Sequence, residues 1–173
     1  VTHFFEPIIG PGWERRDELG NTAPYRSQPH RGSDWGYKNG SEGKAIFAIH
    51  GGQVTKVYND PALGWTVITK LVCDDSCGYN GEHIEYNHML EKPTLKVGDA
   101  LLARRSQIGK IGATGSSLSQ SGAFHLHASM APSDVPHNAD RKTLRDLFKL
   151  IDASTAQRRK ISEAKKAAES ASK

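Results

Sequence analysis

The sequence predicts a mainly β, antiparallel domain followed by a C-terminal amphipathic helix. Two observations carry that fold class. From Lys44 onward, short runs of β-forming residues recur, each bounded by glycines or turn dipeptides. Near residue 144 the apolar spacing changes from alternation to a helical stripe.

In order along the chain, Val1 to Pro29 is rich in Gly, Pro and charge and reads as an irregular lead-in. "KAIFAI" and "GQVTKVYN" flank Gly51-Gly52 and predict a hairpin. "GWTVITKLV" is a third strand. "EHIEYNHML" is a fourth, with Ile84, Tyr86 and His88 alternating onto one face. "LKVGDALL" and "QIGKIGAT" predict two more short strands, and "AFHLHASM" the last. In "DRKTLRDLFKLI", Leu144, Leu147, Phe148 and Ile151 fall at i, i+3, i+4 and i+7, one apolar stripe expected to dock on the sheet. From Asp152 to Lys173 the composition collapses to Ala, Lys, Glu, Ser and Arg. Such a segment has helical propensity but little to bury, and reads as a solvated helix or a linker. The expected organisation is one domain over residues 1–151 and a charged tail over 152–173.

The 173 residues suffice for one domain with a core, and 36% hydrophobic with 24% charged residues is an ordinary soluble balance. No run approaches the roughly 20 apolar residues of a membrane span. The start "VTHFFEPIIG" lacks a signal-peptide pattern and an initiating Met, so a processed or excised chain is expected. A net charge of +4 favours polyanionic partners such as nucleic acid, anionic lipid or bacterial wall polymers. The basic excess is concentrated after Arg141, where stacking aromatics are missing and Glu163 and Glu169 interrupt it, which argues against nucleic acid. Cys73 and Cys77 form a C-x3-C pair with no second pair to complete a zinc site. A local disulfide or two idle thiols is expected, without a catalytic role.

Three separated segments carry candidate chemistry. "HRGSD" offers His30 and Asp34, with Gly32 permitting a tight loop. "EYNH" offers His88, and "HLH" offers His125 and His127, which share one face if the run is a strand. Two imidazoles side by side suit neutral rings that hold a cation, or one ring ligating while the other handles protons; two surface histidines on an edge strand is the plain alternative. Imidazole and carboxylate are first-choice zinc ligands, and catalytic zinc keeps three protein ligands with one position for water. His30, Asp34 and one of His125 or His127 would supply those three. His3 and His137 are expected to be solvated, and His83, of opposite parity to His88, to face away from the metal. Trp35 either walls the site or packs in the core; Trp13 and Trp65 are expected to pack.

"HRGSDW", "AIHGGQVTKVYN", "EYNHML", "VGDALLARRSQIGKIGATGSS" and "HLH" occur in this order between Gly10 and Pro132. Together they resemble the lysostaphin/LytM-type (beta-lytic) zinc metalloendopeptidases of bacterial peptidoglycan. The resemblance implies an antiparallel sheet with a substrate groove and one zinc ion on His30, Asp34 and His127. It implies His125 and His88 as catalytic histidines, with Trp35 and Tyr86 as groove candidates. It further implies hydrolysis of stem or cross-bridge peptides by a monomeric lysin at the bacterial cell wall, secreted or phage-delivered, with a separate wall-binding module beyond the tail. The alternative is a non-catalytic LytM-like domain that binds and activates another wall hydrolase. Three departures stand out: Ala128 and Ser129 follow "HLH" in place of an aromatic and an acidic residue, "CDDSCGYNG" is an insertion, and the segment before "HLH" is long.

Overall fold

A computed structural model describes residues 4–6, 8, 12–115 and 124–171. Nine strands are present among them: β1 (Trp13–Asp17), β2 (Ser33–Tyr37), β3 (Ala45–Phe47), β4 (Gly52–Asp60), β5 (Gly64–Leu71), β6 (His83–Met89), β7 (Ala100–Leu101), β8 (Gln107–Lys110) and β9 (Leu126–Ala131). Seven of them form one sheet in the order β1-β2-β9-β6-β5-β4-β7, and β3 pairs with β8 in a small second sheet. Every pairing is antiparallel. The mainly β class with one C-terminal helix is the one expected.

The connectivity corrects one expectation. β3 and β4 do not form a hairpin, because β3 pairs with β8 while β4 pairs with β5 and β7. Gly52 serves close packing rather than a turn: a Cβ there would lie 2.1 Å from the Lys70 carbonyl oxygen. The turn that closes a hairpin joins β4 to β5, where Asp60 Oδ1 accepts the backbone N–H groups of Ala62 and Leu63 and Gly64 takes φ +69°.

Strand alternation divides the sheet into two faces. Ile84, Tyr86, Leu126, Ala128, Met130, Val67 and Trp35 share the core face, packed with Ile46, Ile49, Ile108 and Ile111. Asp34, His127, Asn87 and Glu85 point the other way. Trp35 and Tyr86, expected at the groove, are therefore core residues. Trp35 stacks edge-on to Phe148 at 4.9 Å, and the fully buried Tyr86 hydroxyl accepts the Ile49 N–H at 3.0 Å. Trp35 follows Asp34 on a strand, so placing the carboxylate on one face sends the indole to the other.

The expected alternation of Ile84, Tyr86 and His88 also breaks. Val67 opposes Tyr86 but Trp65 opposes Met89, so β6 carries one extra residue relative to β5. This bulge turns His88, at φ +62°, away from the face that Tyr86 occupies. Parity counted through the bulge misplaces His83 as well: it shares the face of Glu85 but sits at the far end of β6, opposite Ala131.

The helix α1 (Leu147–Ala171) runs unbroken through the position expected to divide domain from tail. Asp146 caps it, its carboxylate accepting the Lys149 N–H at 3.2 Å. Leu144 lies outside the helix, in extended backbone after a short 3-10 turn, and packs instead with Ala131 and Ala139. Leu147, Phe148 and Ile151 are buried, each worth roughly 1.5–3 kcal/mol of transfer free energy. The next turns are held by polar contacts to the lead-in. Phe5 N–H donates to Ser154 Oγ at 3.0 Å, and Arg158 reaches both oxygens of Glu6 at 2.6 Å. From residue 159 to 171 the helix is exposed. Among the described residues no helix is long and apolar enough to cross a membrane.

Truncation after Ile151 is expected to destabilise the domain by about 2 kcal/mol, since Glu6 loses its main cationic partner and the Phe5 amide its acceptor. That corresponds to a fall in Tm of roughly 4–8 °C. Truncation after Lys160 is expected to leave Tm unchanged; calorimetry of the two truncated chains checks both.

Candidate metal centre

His30 enters the site from the loop before β2. Its backbone is fixed by two hydrogen bonds, its N–H to Asn21 O and its O from Gly20 N–H, both 2.8 Å. Asp34 on β2 lies directly opposite His127 on β9. Gly32 matters through close approach: a Cβ there would lie 2.7 Å from the His127 ring and 2.5 Å from Ala128 O. His30, Asp34 and His127 thus converge. His30 Nε2 is 3.0 Å from His127 Nδ1 and 3.2 Å from Asp34 Oδ1, and His127 Nδ1 is 2.8 Å from Asp34 Oδ1.

The outward nitrogen of each ring decides what these three atoms can do. His30 Nδ1 faces the carbonyl oxygen of Glu18 at 3.0 Å, and a carbonyl only accepts, so the proton sits on Nδ1. His127 Nε2 faces Ser129 Oγ at 3.0 Å, while that hydroxyl donates its own proton to Arg31 O at 3.0 Å. The serine must therefore accept, and Nε2 carries the His127 proton. In neutral rings, His30 Nε2 and His127 Nδ1 present bare lone pairs to each other and to a carboxylate oxygen. Such a triangle needs either a proton on one ring or a cation between the three atoms. Ligand atoms around tetrahedral zinc lie roughly 3.3 Å apart, close to the spacing found here. The two imidazoles and one carboxylate fit zinc on this ground.

Burial works to raise the Asp34 pKa, but once a ring carries a second proton, hydrogen bonds from His127 and His30 overcome it and hold the carboxyl far below the usual range, so the triangle favours a positive charge beside Asp34. The Arg26 guanidinium pairs with Asp17 and stands 3.9 Å from Asp34 Oδ2. His125 Nε2 is 3.7 Å from the same oxygen. The His88 ring lies 5.3 Å from the His125 ring and 6.1 Å from that of His127. Its Nδ1–H donates to Thr114 O at 2.9 Å, which leaves Nε2 as the acceptor. Burial, followed by the neighbouring His127, pushes the His88 imidazole down to about 4, so the ring is neutral near pH 7.

All five histidine and aspartate candidates therefore gather in one place. Their partners Glu18 O, Ser129 and Thr114 O escaped the sequence reading. Ser129 was within reach of it, because residues i and i+2 of a strand share a face. Backbone carbonyls leave no such signal. His137, expected to be solvated, is instead bound to Glu85, which is wholly buried on β6: its Nδ1 lies 2.7 Å and 2.9 Å from the two carboxylate oxygens, and its backbone N–H donates to one of them at 3.0 Å. Cys73 and Cys77 form a disulfide.

No family model matches the chain. Among solved structures it is similar to the catalytic domain of the antimicrobial peptidase lysostaphin from Staphylococcus simulans, at 22% identity and TM-score 0.59, covering 81% of this chain and 92% of that one. A zinc-containing peptidase from Vibrio cholerae matches at 20% identity and TM-score 0.59, over 85% of this chain but only 39% of that chain. The SpoIIQ–SpoIIIAH pore-forming complex matches at 17% identity and TM-score 0.63, over 90% of this chain and 98% of the matched one. The likeness is one of fold, and it is the lysostaphin/LytM-type fold that the motifs led us to expect.

Ser129→Ala is expected to weaken zinc affinity by about 10–100-fold, because His127 loses the partner that fixes its tautomer. Gly32→Ala is expected to act in the same direction by displacing the ring; competition with a zinc-chelating dye measures both. For His137, the hydrogen bond to Glu85 and its charge raise the pKa against burial. The folded value therefore exceeds the unfolded one of about 6.5, and the stabilisation is complete below that pH and lost as pH rises through the folded value. The Tm gap between wild type and His137→Gln is expected to be widest near pH 5.5 and to shrink at alkaline pH.

Proposed function

We propose that this chain is a zinc-dependent endopeptidase that hydrolyses peptide bonds in the stem or cross-bridge peptides of bacterial peptidoglycan. One observation carries the reading: two imidazoles with fixed tautomers and one carboxylate aim bare acceptor atoms at a common point, with two further histidines beside it. The fold shared with lysostaphin supports a peptidase.

His30 through Nε2, Asp34 through Oδ1 and His127 through Nδ1 would hold the zinc. When bound, zinc supplies Lewis acidity and lowers the pKa of water towards about 7. His88, neutral and with Nε2 as its acceptor, takes a proton or hydrogen-bonds the reacting group on one side. His125, beside the second oxygen of Asp34, serves on the other. The Cys73–Cys77 disulfide suits an oxidising, extracytoplasmic setting, in line with action at the cell wall after secretion or phage delivery. The net charge of +4 favours anionic wall polymers, an attraction that salt weakens.

A second reading, a non-catalytic domain that binds and activates another wall hydrolase, draws support from the fold shared with a pore-forming complex. The complete ligand set favours the enzyme.

Digestion of purified sacculi, with mass spectrometry of the released fragments, tests the proposal. Zinc-loaded protein is expected to release peptides bearing new termini. Chelation and His30→Ala are each expected to abolish release, with the variant still folded by circular dichroism. A metal-free protein that releases nothing but accelerates a second wall hydrolase would establish the alternative.

A further inference from the structure

We propose that Thr114 is the positioning residue that sets the tautomer and aim of His88. The proposal rests on the reading of His88 as a catalytic histidine and adds a residue that this reading leaves unused.

His88 sits at φ +62°, a left-handed conformation that a residue with a Cβ adopts only at a cost. Two contacts hold it there. Its backbone N–H donates to Leu63 O at 2.9 Å, and its ring Nδ1–H donates to Thr114 O at 2.9 Å. The second contact dictates which ring nitrogen keeps its lone pair, so the placement of the Thr114 carbonyl is a chemical requirement.

The threonine side chain fixes that carbonyl. Thr114 Oγ1 donates to Met89 O at 2.7 Å and accepts the Trp65 N–H at 3.0 Å. Met89 follows His88 on β6, and Trp65 is its partner on β5. One hydroxyl therefore ties together the two strands that flank the bulge. The surrounding backbone is packed without slack. A Cβ on Gly64 would lie 2.1 Å from Thr114 Oγ1 and 2.4 Å from Thr114 O. A Cβ on Gly115 would lie 2.4 Å from Ala62 O and 2.5 Å from Gly64 N. The glycine-rich "GKIGATG" thus brings one carbonyl flush against the β4–β5 turn, within reach of the His88 ring.

Long-range proton–nitrogen NMR of the zinc-loaded, ¹⁵N-labelled full chain reads the His88 tautomer directly, the signals being assigned with His88→Gln. Wild type is expected to show a single Nδ1–H form. Thr114→Val keeps the shape and removes the hydroxyl. It is expected to show a mixed or shifted ring pattern, unchanged zinc content, and a kcat for fragment release at least about tenfold lower with KM within about twofold. Thr114→Ser is expected to restore both the ring pattern and kcat. A wild-type His88 in the Nε2–H form overturns the proposal, as does a Thr114→Val protein with the wild-type ring pattern. Should Thr114→Val fail to fold, Thr114→Ala, which relieves the packing demand, takes its place under the same criteria. If wild type releases no wall fragments, the catalytic reading falls, while the ring patterns still decide whether Thr114 positions His88.

Discussion

The register between β2 and β9, with Asp34 opposite His127, is the constraint on which the rest of the molecule depends. Cross-strand neighbours on one face stand about 5 Å apart, close enough for a carboxylate and the near nitrogen of an imidazole to meet. The same register turns Trp35 and Leu126 inward, where Phe148 of α1 packs on the indole. A slip of one residue would exchange the faces, burying the carboxylate among apolar groups and exposing the indole. Core and site therefore select the same pairing.

The polar face is expensive to build, and the structure shows how each cost is met. Asp34 is buried between two imidazoles, and a proton on one ring or a cation between the three atoms offsets that cost. Glu85 is buried but receives His137. Arg31 links the two groups of residues: its carbonyl accepts from Ser129, and its guanidinium donates to His137 O at 3.1 Å. The loop that carries His30 is thereby connected to the turn that covers Glu85. The apolar contacts of α1 lie on the opposite face of the sheet, where Phe148 packs on Trp35.

Much of this was legible in the chain. Alternation around "HLH" put His125 and His127 on one face and the short "HRGSD" loop let His30 and Asp34 converge, while the meeting of the two pairs was expected from ligand chemistry and the family resemblance. The errors share a cause: a local irregularity that a periodic rule cannot register. An extra residue on β6 moved His88 to the site and reversed the inference for His83. Gly51-Gly52 looked like a turn because glycine permits turns, yet Gly52 answers to the Lys70 backbone of a strand distant in sequence. Leu144 has helical spacing but precedes the Asp146 cap, so the cap and not the stripe sets the helix start. Glu18 O and Thr114 O are invisible to side-chain reading, because any residue supplies a carbonyl.

His30 and His127 differ in which nitrogen faces the cluster, and the difference follows from where their backbones lie. His127 stands on a strand directly across from Asp34, so the near nitrogen, Nδ1, suffices, and the far one is left for Ser129 two residues along the same face. His30 approaches from a loop outside the sheet, so the far nitrogen, Nε2, must make the reach, and the near one falls beside the Glu18 carbonyl. His88, raised by a bulge, follows the His30 pattern and anchors its near nitrogen on Thr114. In each case an acceptor outside the cluster takes the one proton of a neutral ring, and what remains pointing inward is a lone pair. Three such choices, made by a serine hydroxyl and two peptide carbonyls, leave a group of histidines with inward lone pairs, the arrangement on which the proposed zinc and base roles rest.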